Sequence, residues 1–219
     1  MSDSFYIIEE NDDFVIVDKP PKIDCHQTKS KQDDQSTGLF YRLSQQLNIP
    51  LWPVHRLDKM TSGLLIMAKT KPAAQAFGQL FESHQVKKTY LAISNKKPKK
   101  KQGKIVGDMK KSRSGNWKLC HSHDNPAITR FVSYPLPIDQ RLFIIHPKTG
   151  RTHQIRVALK SIAAPILGDP RYAAQSKLDS IDRGYLHAFQ LGFKWQGKSL
   201  LFSHSPTHGV HFYNLTVSN

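Results

Sequence analysis

The sequence predicts an α+β fold, with a mixed, mainly antiparallel sheet and flanking helices. Three observations support this prediction. Strand-like segments outnumber helical ones, and they do not alternate with helices in the regular βαβ order of a parallel sheet. The chain has 219 residues, 38% of them hydrophobic, which is enough for one sizeable core. We find no repeat and no linker, and we therefore expect residues 1–219 to form a single domain.

The first half of the chain is expected to contain three strands and two helices. Short apolar runs at 5–8 and 14–18 predict two strands separated by turn residues. Residues 39–47 space their apolar side chains as one face of a helix does, whereas 64–68 is continuously apolar and predicts a buried strand. A second helix is expected to begin near Pro72.

The second half continues this mixture. Three segments have strand-like patterns: 86–94, 127–134 and 141–145. Thr152 is expected to cap a helix that runs to about residue 163 and is stopped by Pro165. Residues 186–195 and 199–202 predict a hairpin.

The positive charge of the chain is concentrated in one segment. The net charge is +15, and between Lys87 and Lys118 we count twelve Lys or Arg and a single acid. Such a run repels itself and cannot be buried, so it predicts an exposed loop or ribbon. A merely solvated loop is the alternative, but the overall charge favours contact with nucleic acid through phosphates.

Composition narrows the class of protein further. No apolar run reaches the ~18–20 residues of a membrane span, and the acidic start is unlike a signal peptide. The two cysteines, Cys25 and Cys120, give no disulfide framework. We therefore expect a soluble, cytoplasmic protein without a membrane partner.

Two patterns suggest ligand sites that their context does not favour. Residues 192–199 match the P-loop pattern, but a strand rather than the required helix is expected after them. A nucleotide-dependent enzyme is therefore only the third hypothesis. The histidine clusters at 121–123 and 204–211 lack the paired spacing of a zinc site, so no metal is expected.

The segment 55–63 places an acid, Asp58, among His, Arg and Lys in a turn just before a buried strand. Nearby positive charge keeps such a carboxylate ionised, which suits a nucleophile better than a proton donor. For one aspartate considered alone, a turn residue that bonds its own backbone is the commoner explanation.

His55-Arg56-Leu57-Asp58, followed by Thr61-Ser62-Gly63 and Ala68-Lys69, resembles the active-site motif of the RluA family of pseudouridine synthases. Further motifs of this family occur in the same order along residues 14–206: Asp18-Lys19-Pro20, Lys88-Thr89-Tyr90, Gly150-Arg151-Thr152-His153-Gln154-Ile155-Arg156-Val157, Pro165-Ile166-Leu167-Gly168-Asp169 and Leu186-His187-Ala188. Several motifs in one order are far more specific than one, and they favour the catalytic interpretation of Asp58.

The resemblance implies a pseudouridine synthase fold and the isomerisation of uridine to pseudouridine in RNA, without metal or organic cofactor. Asp58 would be the nucleophile or base, acting at the ribose or at the uracil ring. Tyr90 would pack on the target base and take part in proton removal at C5, and Arg156 would pair with Asp58. Arg56 would enter the space vacated by a flipped nucleotide, because a stacked uridine hides its glycosidic bond.

Other side chains are expected to contact substrate or RNA. Leu186 would line the base pocket, and residues 95–125 would form a basic RNA-contacting insertion, with 96–113 as a mobile arm. The remaining expected contacts are His55, Lys97, Lys99, Lys100, Lys101, Arg151 and His153.

The chain departs from the family pattern at three positions. Lys22 stands where a Gly is usual, and Ala158 and Ala164 replace frequent His residues. We expect a monomeric catalytic domain without the additional N-terminal RNA-binding domain, acting on ribosomal or transfer RNA, with ribosomal RNA favoured. The alternative is an RNA-binding or ribosome-associated protein with the same fold and no activity.

Overall fold

Eleven strands form one sheet, and three helices pack against its faces, in the part of the chain described by the computed structural model. The described residues are 4–26, 38–112, 115–173, 181–213 and 215. The strands are β1 Tyr6–Glu10, β2 Phe14–Lys19, β3 Trp52–Pro53, β4 Ser62–Ala68, β5 Lys87–Ser94, β6 Gln102–Lys111, β7 Trp117–Cys120, β8 Ala127–Leu136, β9 Gln140–Pro147, β10 Leu186–Trp195 and β11 Lys198–Ser203. The helices are α1 Leu39–Leu47, α2 Lys71–Glu82 and α3 Gln154–Ser161.

The sheet has the order β1-β2-β4-β10-β5-β9-β8-β6-β7, with β11 paired to β10 and β3 to β4. Every pair is antiparallel except β4 with β10, which is parallel. The predicted α+β class is therefore confirmed. The parallel pair brings the chain that follows Asp58 beside β10, which begins with Leu186.

The β4–β10 pair depends on a close backbone approach at Gly63. This residue has φ +104°, and a Cβ atom placed on it would lie 2.3 Å from the carbonyl oxygen of Ala188. Only glycine fits both this conformation and this spacing. The neighbouring Ser62 hydroxyl donates to Nδ1 of His187 at 2.8 Å, because His187 Nε2 bonds the carbonyl oxygen of His204.

Alternation along β2 and β4 places α1 and α2 on opposite faces of the sheet. Val15 and Val17 belong to the apolar cluster of α1, whereas Phe14 and Ile16 belong to that of α2. All six residues of β2 are consequently buried. The third cluster joins α3 to the strands β5, β8 and β9.

The start of α3 differs from the sequence prediction. Its N-cap is His153, in the left-handed conformation at φ 56° and without a side-chain cap bond, so the prediction of a Thr152 cap is wrong. The side chain of Gln154 holds this turn instead, because its Oε1 accepts from the Thr149 hydroxyl and the Arg151 N–H at 2.7 and 3.0 Å.

The C-terminal hairpin is confirmed. Strands β10 and β11 turn at Gln196 and Gly197, and Lys198 pairs with Trp195. The segment that matches the P-loop pattern therefore runs into a strand and lacks the helix whose N-terminus would bind phosphate.

Most of the basic segment is strand. Gln102–Lys111 is β6, which pairs with β8 through residues 102–107 and with the edge strand β7 through residues 108–111. The exposed lysines between 96 and 101 lie in the connection from β5 to β6. Residues 113 and 114, and with them the end of the expected arm at Arg113, lie outside the described residues.

Within the described residues, no helix is long and apolar enough to cross a membrane.

Candidate active site

Asp58 lies in the loop between β3 and β4, where its carbonyl oxygen accepts the Thr61 N–H at 2.9 Å and closes a turn. Its carboxylate oxygen Oδ2 accepts from Nη1 of Arg156 on α3 at 3.0 Å. Nε2 of His153 lies 4.0 Å from the other oxygen, Oδ1. One oxygen is thus paired with a cation and the other faces an imidazole.

Arg156 is held by a second carboxylate. Its Nε and Nη2 each donate to Asp169 at 2.8 Å, a two-point contact that fixes the plane of the guanidinium and leaves Nη1 for Asp58. Burial by itself would lower the pKa of Arg156, but the hydrogen bonds and charges of Asp169 and Asp58 outweigh this effect and raise that pKa. The pair with Asp58 is therefore one of a fixed cation with a carboxylate.

Asp169 is itself fully buried and is oriented by the backbone. Its Oδ1 accepts the N–H groups of Arg171 and Tyr172 at 2.9 and 3.1 Å, in the turn after α3. The sequence motif Leu167-Gly168-Asp169 includes this residue, but sequence reasoning assigned it no role. The motif therefore marked Asp169, but its contact with Arg156 is visible only in the folded structure.

Tyr90 lies on β5, half-buried, beside Asp58. Burial raises the pKa of Tyr90, and the negative charge of Asp58 raises it further. The phenol is therefore neutral at physiological pH and can pack against a base or donate a hydrogen bond.

These side chains enclose a cleft of about 90 Å³. It brings together six of the residues predicted from the sequence, which come from four separate segments: Arg56, Asp58, Tyr90, His153, Arg156 and Leu186. Arg56 is exposed and Leu186 is buried. The arrangement provides an anionic carboxylate, a neutral phenol and an apolar wall at one point.

A larger cleft of about 580 Å³ adjoins the first, because Arg56 and Tyr90 line both. His55, Lys88 and Arg151 also line it. Lys88 was not among the predicted contacts, although it belongs to the Lys88-Thr89-Tyr90 motif. The cationic side chains of this larger cleft suit a polyanion.

His55 lines the larger cleft but is held by contacts with β4 and α2. Its Nε2 accepts the Ile66 N–H at 3.0 Å, and its ring stacks on Phe81 at 4.8 Å. Burial, and secondarily the charge of Lys88, lowers the pKa of His55 to about 3. The imidazole is therefore neutral and supports β4 rather than supplying charge to the cleft.

Arg151 and the four predicted lysine contacts lie outside the smaller cleft. Arg151 is exposed and donates to Oδ1 of Asn125. Neither cleft is lined by the exposed lysines that follow the end of β5: Lys97, Lys99, Lys100 and Lys101.

A buried lysine of the Asp18-Lys19-Pro20 motif, to which the sequence assigned no role, supports the Asp58 loop. Lys19, wholly buried, donates from Nζ to the carbonyl oxygens of Pro20, Ile23 and Lys59 at 2.9, 2.7 and 3.4 Å. The Lys59 oxygen also accepts the N–H of Lys22 at 2.8 Å. The segment after β2 is thereby tied to the residue that follows Asp58.

The three departures from the family pattern have different consequences. Lys22 has φ 69°, the left-handed region in which glycine is favoured. Ala158 and Ala164 are buried in the apolar cluster of α3 and line neither cleft. These two positions therefore contribute to packing.

Among the described residues, no group of three or more His, Cys, Asp or Glu is arranged to hold a metal ion.

Comparison with known proteins identifies the family of this chain. The family model described as RNA pseudouridylate synthase matches residues 13–161. An uncharacterized RNA pseudouridine synthase of Haemophilus influenzae is 48% identical over 212 residues, which are 96% of this chain and 92% of that protein. Ribosomal large subunit pseudouridine synthase C of Rickettsia bellii is 33% identical over 84% of this chain, and the match spans 62% of that protein.

The fold is shared with solved structures. The structure of human RNA pseudouridylate synthase domain containing 1 matches with a TM-score of 0.78 and 25% identity, covering 93% of this chain and 84% of that one.

Proposed function

The chain belongs to the RNA pseudouridylate synthase family, and from this premise we propose that it isomerises specific uridines in RNA to pseudouridine at the cleft of Asp58, Tyr90 and Arg156. The family assignment confirms the resemblance that the ordered motifs indicate. The observation that carries the choice of site is the Asp58–Arg156 contact of 3.0 Å at the edge of a cleft lined by Tyr90. An inactive RNA-binding protein would have no need of this arrangement.

The reaction breaks the bond between uracil N1 and ribose C1′, joins C5 to C1′, releases the C5 proton and leaves a hydrogen on N1. Asp58 acts as the nucleophile or base, at the ribose or at the ring. Arg156 pairs with the Asp58 carboxylate and fixes Oδ2, so that Oδ1 is the oxygen available to the substrate. No step in this scheme requires a metal or an organic cofactor.

The target uridine must leave its stack to reach the cleft. Arg56, which is exposed and lines both clefts, occupies the space that the nucleotide vacates, while Tyr90 and Leu186 contact the flipped base. Lys88, Arg151 and the lysines after β5 contact phosphates.

The substrate that we propose first is ribosomal RNA of the large subunit. Two kinds of relative are named for this activity, the ribosomal large subunit pseudouridine synthases C of Rickettsia and D of Zymomonas mobilis. Transfer RNA is the second substrate to test. A monomeric enzyme in the cytoplasm remains a prediction.

The decisive experiment supplies RNA that carries tritium at uridine C5 and follows its release to water. The parent protein should release tritium from the correct RNA in the presence of EDTA, and Asp58→Asn and Asp58→Ala should each abolish release. Robust release by either variant would contradict the role of Asp58. RNA binding by the parent without release from any RNA would favour the inactive binding protein.

A further inference from the structure

Tyr172 is buried behind Asp58, and the Tyr172 hydroxyl has two partners. The oxygen accepts the backbone N–H of Trp117, the first residue of β7, at 2.9 Å. It also lies 2.9 Å from Nδ1 of His153. Since Nε2 of the same imidazole faces Asp58, one short chain of contacts leads from the β7 backbone to the carboxylate.

The directions of these hydrogen bonds follow from the groups themselves. A hydroxyl that accepts from an amide N–H still has its own hydrogen to donate, and Nδ1 of His153 is positioned to receive it. The hydrogen of a neutral imidazole is then on Nε2, which faces the carboxylate of Asp58. The opposite tautomer would direct the Nε2 lone pair at a negative charge.

Tyr172 contacts the other neighbour of Asp58 as well. Its N–H donates to Oδ1 of Asp169, and the Arg156 guanidinium lies over its ring at 5.1 Å from the centroid. The same residue therefore touches His153, Arg156 and Asp169. Tyr172 can therefore hold both neighbours of the Asp58 carboxylate, His153 and Arg156.

We propose that Tyr172 is a positioning residue of the active site: its hydroxyl, oriented by the β7 backbone, holds His153 in the tautomer that carries its hydrogen on Nε2, facing Asp58. The assignment to a reaction rests on the proposed function, whereas the tautomer is a property of the free protein. His153 has a left-handed backbone conformation, which is uncommon outside glycine and is held here by its surroundings.

The charges around His153 determine how the arrangement depends on pH. Burial lowers the pKa of His153, the cations Arg156 and Arg171 lower it too, and Asp58 and Asp169 oppose them. A hydrogen bond donated to Nδ1 favours the neutral ring, so loss of the Tyr172 hydroxyl should raise the pKa of His153. A protonated His153 would pair with the oxygen of Asp58 that the substrate needs.

The test is Tyr172→Phe, with Tyr134→Phe on β8 as the control, since Tyr134 is 49% exposed. In Tyr172→Phe we expect kcat of tritium release to fall several-fold with little change in KM for RNA. The acid limb of the kcat/KM profile should move upward by roughly 0.5–1 pH unit, the size expected when one neutral hydrogen bond is removed. In a His153→Asn background, Tyr172→Phe should not move that limb further.

A measurement on the free protein separates this proposal from the proposed function. Nitrogen NMR of the imidazoles, with the His153 signals identified by their absence from His153→Asn, should show hydrogen on Nε2 in the parent. Tyr172→Phe should alter that tautomer and raise the pKa of His153, whereas Tyr134→Phe should alter neither. Hydrogen on Nδ1 in the parent, or an unchanged His153 in Tyr172→Phe, overturns the proposal; a parent without tritium release contradicts only the proposed function.

Discussion

At the scale of single residues, the orientation of Asp58 depends on a chain of buried charges. Asp169 holds Arg156 at two points, and Arg156 holds Asp58 at one. A buried charge that loses its partner is destabilising by roughly 3–5 kcal/mol, so Arg156 and Asp169, which are both buried, depend on each other. The sequence predicts the contact between Arg156 and Asp58, whereas the role of Asp169 requires the folded chain.

Lys22 illustrates how a residue can be fitted to a position that suits glycine. Its N–H bonds the Lys59 oxygen beside Asp58, and its φ of 69° imposes strain on a residue with a Cβ atom. We expect Lys22→Gly to raise the free energy of unfolding by about 0.5–1 kcal/mol, because the relief of strain exceeds the added entropy of the unfolded chain. Urea unfolding at pH 7 measures this change.

The control for this prediction is Gln75→Gly, at an exposed position inside α2. There glycine should lower the stability by about 0.7–1 kcal/mol. Equal losses at the two positions would mean that Lys22 is not strained.

At the scale of secondary-structure elements, the contact between β4 and β10 positions the Asp58 loop relative to Leu186. Gly63 leaves no space for a Cβ atom, which would lie 2.3 Å from the Ala188 oxygen. Gly63→Ala should therefore destabilise the protein by roughly 3 kcal/mol or more and reduce tritium release by displacing Asp58.

Gly78→Ala is the matched control for Gly63→Ala. Gly78 lies within α2 with nothing within 4 Å of its added Cβ atom, so alanine should stabilise the helix by about 1 kcal/mol. Thermal unfolding of both variants gives the comparison, and a tolerated alanine at position 63 would show that the strands can separate without loss.

The connection between β5 and β6 carries the densest positive charge on a described surface. Changing Lys97, Lys99, Lys100 and Lys101 to Gln should weaken RNA binding and flatten the dependence of log Kd on log salt, by close to one unit for each phosphate that the protein no longer neutralises. Titrations of a fluorescent RNA at several salt concentrations measure this slope.

Three exposed lysines elsewhere, Lys71, Lys194 and Lys198, provide the control when changed to Gln. Compared per lysine removed, they should alter the slope less. If both sets alter it equally, the charge after β5 acts only through the net charge of the protein.

At the scale of the whole molecule, two neutral histidines, the buried His187 and the half-buried His55, make stability depend on acid. Burial lowers the pKa of His187 to about 4 and that of His55 to about 3. Between these values and the ordinary pKa near 6.5, the unfolded chain binds more protons than the folded one. Stability should therefore fall as pH decreases from about 6.5 towards 4.

His187→Gln should flatten this acid dependence even if it lowers stability at pH 7, because the Ser62 and His204 contacts change. Urea unfolding at pH 7, 6 and 5 measures the slope. The exposed His121→Gln is the control and should keep the slope of the parent. An unchanged slope in His187→Gln would contradict the assignment of acid sensitivity to this residue.

Features that depend on neighbouring residues along the chain could be predicted from the sequence. Strand and helix patterns follow from the alternation and spacing of side chains along a few turns, so α1, β4 and the β10–β11 hairpin could be predicted. The ordered motifs predicted the family and Asp58, Tyr90 and Arg156 as a set. This was possible because each of the three residues lies in its own short motif, and the motifs occur in the order typical of the family.

Which of these residues are in contact, and in what geometry, depends on the folding of the whole chain. Four contacts join segments that are distant along the chain. They are the parallel β4–β10 pair, the hydrogen bonds from Arg156 to Asp169, the hydrogen bond from Lys19 to the Lys59 carbonyl oxygen, and the contact of Tyr172 with His153. Thr152 was predicted as a cap from its local residue type, but His153 holds that position because contacts from other elements outweigh local preference. A local motif can predict that a residue belongs to the site. Contacts of about 3 Å between residues that are remote along the chain exist only once the sheet has formed.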